Sequence, residues 1–408
     1  MATRTRIQVI DPKGDVLLRF AAPVTDAVIQ QLEELEARGK QPVNEPWSSP
    51  ESMCTPDAEG PAADMDMQLD KLEFPQPVNL QVSSVVLGLA SPVFYAMFNL
   101  PMTEGEAFRA PGSPRPFPIS LPEDNGEAFA ILAHVIHHRT DAIPFLPSTA
   151  MLLAIAALAD KYVCAPALMP YGVLWLQRAT EPEMRDDPEY GGLVGRCNLL
   201  LFAYVLDLPV EFARLSWDVL LSHRQLLKDE MHGLELPISP DHELLRHDLH
   251  GEIARRKARL RCDVHNALME PISRVLAQLH AVYSGPSPEP EMRPTCPNAA
   301  LAIGNYMALL DSYNLSPWRP QYETDSFSAI ISRALEVAAQ AQENPMLFFE
   351  MCTRNRCACD RMVYGDGVHL ARRLAFRLGG AWKWKLWVCL DCLKNGGVDK
   401  GNCRVKHW

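Results

Sequence analysis

The last 57 residues, Cys352 to Trp408, hold six of the chain's eleven cysteines and four of its eight tryptophans. Twelve Lys and Arg face four Asp there, a balance of +8, whereas the whole chain of 408 residues carries −11. The preceding 351 residues therefore carry −19. Two stretches so different in charge and side-chain type predict separate modules, and the length alone exceeds what one hydrophobic core usually serves. An acidic body with a basic end also argues against nucleic acid bound across the whole surface. No apolar run reaches the roughly 18 residues of a membrane span. The start, MATRTRIQVIDPKGD, has no apolar stretch of the kind a signal peptide needs. The expectation is a protein inside the cell, cytoplasmic or nuclear and not secreted, with its thiols reduced.

Near the start, Ile7 and Val9, then Val16, Leu18 and Phe20, flank the turn DPKGD and predict a hairpin or strand-turn-strand. Val28, Leu32 and Leu35 repeat helically between a capping Thr25 and Gly39. Residues 40–73, rich in proline and small polar side chains, read as a disordered insertion. Val78, Leu80 and Val82 alternate as a strand, and an apolar helix pair broken at Ser91–Pro92 follows. Leu100–Phe108 reads as a loop. A short strand then ends at Leu121, before a helix carrying Phe129, Leu132, Val135 and Ile136. Two more helices complete this stretch, the first apolar enough to be buried.

The segments GDVLLRF, VSSVVLGLASPVFYAMF, ISLPEDNGEAFAILAHVIHHRT and LLAIAALADKYVCAPAL, in this order, resemble the BTB/POZ domain as it occurs in filamentous-fungal proteins. The resemblance covers about residues 7–178, and it departs from the family in the long insertion between the first strand and VNLQVSS. It implies an α/β BTB/POZ fold, a small mixed sheet flanked by helices, whose work is to bind protein rather than catalyse. A homodimer through this domain is one implied partner. A cullin scaffold of a ubiquitin ligase is another, because cullin-recruiting members carry an apolar-x-Glu word matched here by Met102, Thr103 and Glu104. Such a word works as an apolar anchor with a carboxylate at the rim; an exposed loop without a partner has the same composition. Val28, Leu32, Val85, Leu89, Phe94 and Phe98 are candidates for core or interface.

A mainly α-helical region is expected over 190–283, then a proline-rich linker over 284–297, a helical pair over 298–345, and a small basic Cys/Trp-rich module over 346–408. In that module Cys389-x2-Cys392 is followed by Cys403-x3-His407. Such spacing suits a structural Zn2+, because two thiolates on one turn meet a second pair returned by a glycine-bearing loop. Cys352, Cys357, Cys359 and His369 form an alternative set, although ligands two apart on a strand point to opposite faces. The competing reading is unliganded thiols packed against Trp382, Trp384 and Trp387.

Lysines interleaved with tryptophans also suit single-stranded nucleic acid. The alternative function is therefore a transcription- or chromatin-associated factor that oligomerises at one end and reads nucleic acid at the other. The run ARRKARLR, Ala254–Arg261, fits a nuclear-import signal or simply the wet face of a helix. His242 and His247 in HELLRH are five apart, one too many for two ligands on one helix face. With no nucleophile elbow or phosphate loop in the sequence, no catalysis is expected.

Overall fold

The computed structural model describes residues 6–21, 78–222, 239, 242–284, 297–316, 325–343, 387–396 and 402–406. The expected helix at Thr25–Gly39, the insertion at 40–73 and most of the linker at 284–297 lie outside these residues. The chain divides into two compact units, Met1–Phe145 with Leu158–Leu168, and Leu146–Ala157 with Met169–Trp408. The described residues form a four-stranded sheet and 13 α-helices, a mixed α/β chain with a small cysteine cluster near its C-terminal end. No described helix is long and apolar enough to cross a membrane.

In the first unit the sheet runs in the order β1 (Arg6–Val9), β3 (Val78–Val82), β2 (Val16–Arg19), β4 (Phe117–Ser120). The period-2 alternation does what it predicts: Val16 and Leu18 on β2, and Leu80 and Val82 on β3, are fully buried, while Arg19 faces solvent. β2 pairs antiparallel with β3, Leu18 opposite Leu80, and parallel with β4, Leu18 opposite Ile119. The DPKGD segment is not the tip of a paired hairpin, because β3 lies between β1 and β2 and pairs parallel with β1. The link bonds to β3 instead: Ile10 and Asp11 amides donate to the Gln81 carbonyl at 3.0 and 3.1 Å, and the Gln81 side chain donates to the Gly14 carbonyl at 3.0 Å. A Cβ at Gly14 would fall 2.6 Å from the Val82 carbonyl oxygen, so only glycine admits this approach.

Helices α1 (Ser84–Ala90) and α2 (Pro92–Asn99) follow β3, separated at Ser91 as the sequence suggests. Ser91 caps α2 by accepting from the Phe94 amide at 3.2 Å, donates to the Tyr162 carbonyl at 2.6 Å, and is followed by Pro92 at the first helical position. Next come α3 (Thr103–Arg109), β4 and α4 (Gly126–Ile136), whose Asn125 cap accepts from two amides. Phe94, Phe129 and Tyr162 form the aromatic centre of the unit; Phe94 stacks on Tyr162 at 4.4 Å and Phe129 meets it edge-on at 5.6 Å. Asp124, nearly buried, accepts from the Tyr162 hydroxyl and from Lys161 at 2.6 Å. Of the six apolar candidates, Phe94 and Phe98 are core, Val85 and Leu89 are exposed, and Val28 and Leu32 lie outside the described residues.

Helices α5 (Thr149–Lys161) and α6 (Ala165–Ala179) have residues in both units. The second unit continues with the short α7 (Pro188–Gly191), then α8 (Leu193–Val205) and α9 (Pro209–Ser222), joined by a three-residue corner. Asp207 turns that corner at φ +56°, with the Leu208 amide donating back to the Ala203 carbonyl at 3.0 Å, and Pro209 opens α9. Helices α10 (Leu249–Ser284), α11 (Pro297–Ser312), α12 (Phe327–Glu343) and the five-residue α13 (Leu390–Lys394) complete it.

Candidate metal centre

The segment Trp387–Leu390 is the most buried part of the described C-terminal module, with Leu390 fully enclosed and Cys389 only 3% exposed. The Val388 amide donates to the buried Ser216 hydroxyl on α9 at 2.9 Å, which fixes the backbone just before the first thiol. Cys389 stands at the N-cap of α13 and Cys392 one turn later, so both sulfurs leave the same end of the helix. Gly396, at φ +63°, takes the left-handed conformation that lets the chain turn after α13. Cys403 lies on the returning segment, and its sulfur is 3.5 Å from that of Cys392.

All three sulfurs lie within 4.8 Å of one another. A disulfide would need about 2.05 Å, and the three cysteines are free. Thiolates at about 2.3 Å around a tetrahedral ion stand roughly 3.8 Å apart, so the observed spacing fits a shared metal with little adjustment. Burial pushes the Cys392 thiol up to about 12, helped by its contact with Cys403 and the neighbouring Cys389. Burial likewise raises Cys403. Burial thus favours the protonated form of Cys392 and Cys403, and a bound metal would displace those protons. The cluster is able to hold a metal ion.

Charged groups surround the cysteines in pairs. Arg404 donates to Asp391, the residue inside the Cys-x-x-Cys turn, through Nε at 2.9 Å and Nη2 at 2.6 Å, and to Asp207 through Nη1 at 2.5 Å and Nη2 at 2.9 Å. Lys394 reaches Asp207 at 2.7 Å and lies 5.1 Å from the Tyr204 ring. The hydrogen bonds from Arg404, reinforced by Lys394, hold the Asp207 carboxyl at about 2, well below its ordinary 3.8. Burial raises Asp391, and the Arg404 bonds outweigh it to leave a net lowering.

The sequence brings Cys389, Cys392 and Cys403 together as its spacing implies. His407 and the alternative set Cys352, Cys357, Cys359 and His369 lie outside the described residues. Met102, Thr103 and Glu104 are all exposed, but on the start of helix α3 rather than in a loop, with Met102 at its N-cap. Arg109 fastens that helix to the end of α2 by donating to the Phe98 and Leu100 carbonyls at 2.5 and 3.0 Å. His247 leaves the histidine run to bond the Tyr204 hydroxyl at 2.6 Å. On α10, Arg255 and Arg256 pair with the largely covered Glu252 at 2.5 and 2.8 Å, and in the run Ala254–Arg261 the residues Arg255, Ala258 and Arg259 are exposed while Leu260 is buried. Sequence reasoning missed Asp207; its one local signal is an aspartate before Leu-Pro at a helix end, and nothing links it to residues near 400. Searches against family models, curated proteins and solved structures find no match to this chain.

Proposed function

We propose that this chain is a non-catalytic protein-binding adaptor. Its first unit is a BTB/POZ-type module that pairs with a second copy, and its C-terminal module is closed by one structural Zn2+. The observation that carries the reading is the outer face of α1. Val85 is 68% exposed and Leu89 84% exposed, one turn apart, on a helix held rigid by its Ser83 cap. Two large aliphatic side chains one turn apart on a capped helix are of the kind that a partner's pocket takes as anchors. Ile7 and Val9 on the edge strand β1 add about half-exposed apolar surface to the same unit.

The second unit bears on catalysis through one described cavity. It has a cavity of about 200 Å³ lined by Thr180, Arg185, Tyr190, Arg196, Asp218 and Ser222 among others. The Tyr190 hydroxyl donates to the Pro147 carbonyl at 3.1 Å and Arg196 donates to the Ser222 hydroxyl, so these groups stabilise the fold. Among the described residues the lining has one carboxylate and no histidine or cysteine, which is a poor set for acid–base work.

A cullin scaffold is the partner we assign to Met102, Thr103 and Glu104, presented on a fixed helix start. The nucleic-acid alternative loses ground because Arg404 and Lys394 are committed to carboxylates of their own chain. The reduced thiols fit a place inside the cell.

Light scattering on the purified full chain tests the pairing. Two copies are expected for the wild type and one for the Val85→Glu, Leu89→Glu double variant. A single copy in both would overturn it. Capture by a cullin N-terminal region should be lost in Glu104→Arg, and capture unaffected by that change removes Met102–Glu104 from the reading.

A further inference from the structure

Cys403 belongs to a segment, Asn402–Lys406, that has neither helix nor strand to hold it, yet its sulfur must stay opposite Cys389 and Cys392. The bonds of the next residue tie this segment down. The Arg404 amide donates to Asp391 Oδ2 at 2.7 Å, and its guanidinium takes Oδ1 twice, at 2.9 and 2.6 Å. The returning segment is thus tied to the middle of the Cys-x-x-Cys turn. The guanidinium then spans to both oxygens of Asp207, at 2.5 and 2.9 Å, a fork-on-carboxylate pairing that fixes its plane. Asp207 is itself held in place at the left-handed corner between α8 and α9.

This arrangement has a chemical consequence for the metal. Asp391 is one residue from Cys392, and a free carboxylate there would be a ready oxygen ligand. With two donors on Oδ1 and one on Oδ2, three of its roughly four acceptor sites are occupied and the carboxylate is turned toward Arg404. A site of thiolates without carboxylate oxygen favours zinc and disfavours magnesium and calcium. We infer that Arg404 is a positioning residue of the metal centre, with Asp207 as its anchor: it holds Cys403 opposite the other two thiols and keeps the Asp391 carboxylate out of the coordination sphere. This rests on the zinc reading given above.

The test uses the full chain under reducing conditions, with zinc competed against a chromophoric chelator and cobalt substituted as a spectroscopic reporter. The wild type is expected to bind one zinc and to give the visible and near-ultraviolet bands of a tetrahedral thiolate site with cobalt. Arg404→Ala and Asp207→Asn, each checked for folding by circular dichroism, should both weaken zinc by about 10–100-fold, the usual range for outer-shell partners. In Arg404→Ala the cobalt bands should shift as an Asp391 oxygen enters. Adding Asp391→Asn should reverse that shift, which no merely structural role for Arg404 would produce. Arg404→Lys, which keeps the charge but cannot fork across two carboxylates, should fall between. Wild-type zinc affinity and unshifted bands in Arg404→Ala and Asp207→Asn would overturn the positioning role while leaving the metal in place. A wild type that takes no zinc would overturn both.

Discussion

Single residues in the first unit carry consequences that follow from what they touch. Phe129 is fully buried and meets Phe20, Phe94 and Tyr162, so no neighbour can relax into its space without undoing another contact. Phe129→Ala should cost about 3–5 kcal/mol in the unfolding of this unit, read from its own transition in urea. His137 makes a different prediction. Its Nε2 is 3.1 Å from the Ser83 amide, which can only donate, so Nε2 must carry the lone pair, and Nδ1 donates to the Ala133 carbonyl at 2.9 Å. This geometry needs the neutral ring. Burial holds His137 below its ordinary 6.5, and burial together with the Arg139 cation does the same for His134. Because the folded values lie below the unfolded ones, this contribution to stability is complete above pH 6.5 and is lost as pH falls from 6.5 toward the folded values. Melting temperature should therefore drop on acidification through that window. His137→Gln, which accepts from Ser83 without titrating, should flatten the drop; an equal drop in the variant would refute the assignment.

Elements show where sequence reasoning reached and where it stopped. Strand alternation at Val16–Leu18 and Val78–Val82, the helix break at Ser91–Pro92 and the convergence of Cys389, Cys392 and Cys403 were all legible, because each is set by local periodicity, a cap or a short loop. The insertion of β3 between β1 and β2 was not, because a turn signal cannot say whether a strand returning much later will claim the inner edges. Helix α3 was missed because seven residues containing Gly105 have little helical propensity of their own; the Arg109 bonds to α2 supply what the sequence lacks. Asp207 was illegible for the same reason at longer range, its partner Arg404 standing 197 residues away. The β3 insertion also yields a prediction. Gly14→Ala places a methyl against the Val82 carbonyl and should cost on the order of 1–3 kcal/mol. Hydrogen exchange should rise in β1 and β3 while α8 and α9 remain protected; unchanged exchange in the sheet would contradict the packing described.

For the whole molecule, the two ends offer different features. The first unit keeps Val85 and Leu89 in water on a capped helix, the surface on which the proposed pairing rests. Within the second unit, the C-terminal segment brings three thiols within 4.8 Å and is fastened to α9 at Ser216 and to the corner before it at Asp207. Native mass spectrometry of the full chain, purified reduced and supplied with zinc, weighs both features at once. A species of two chains with one zinc per chain is the predicted result. A single chain at micromolar concentration would contradict the pairing, and a mass without metal would contradict the thiolate centre.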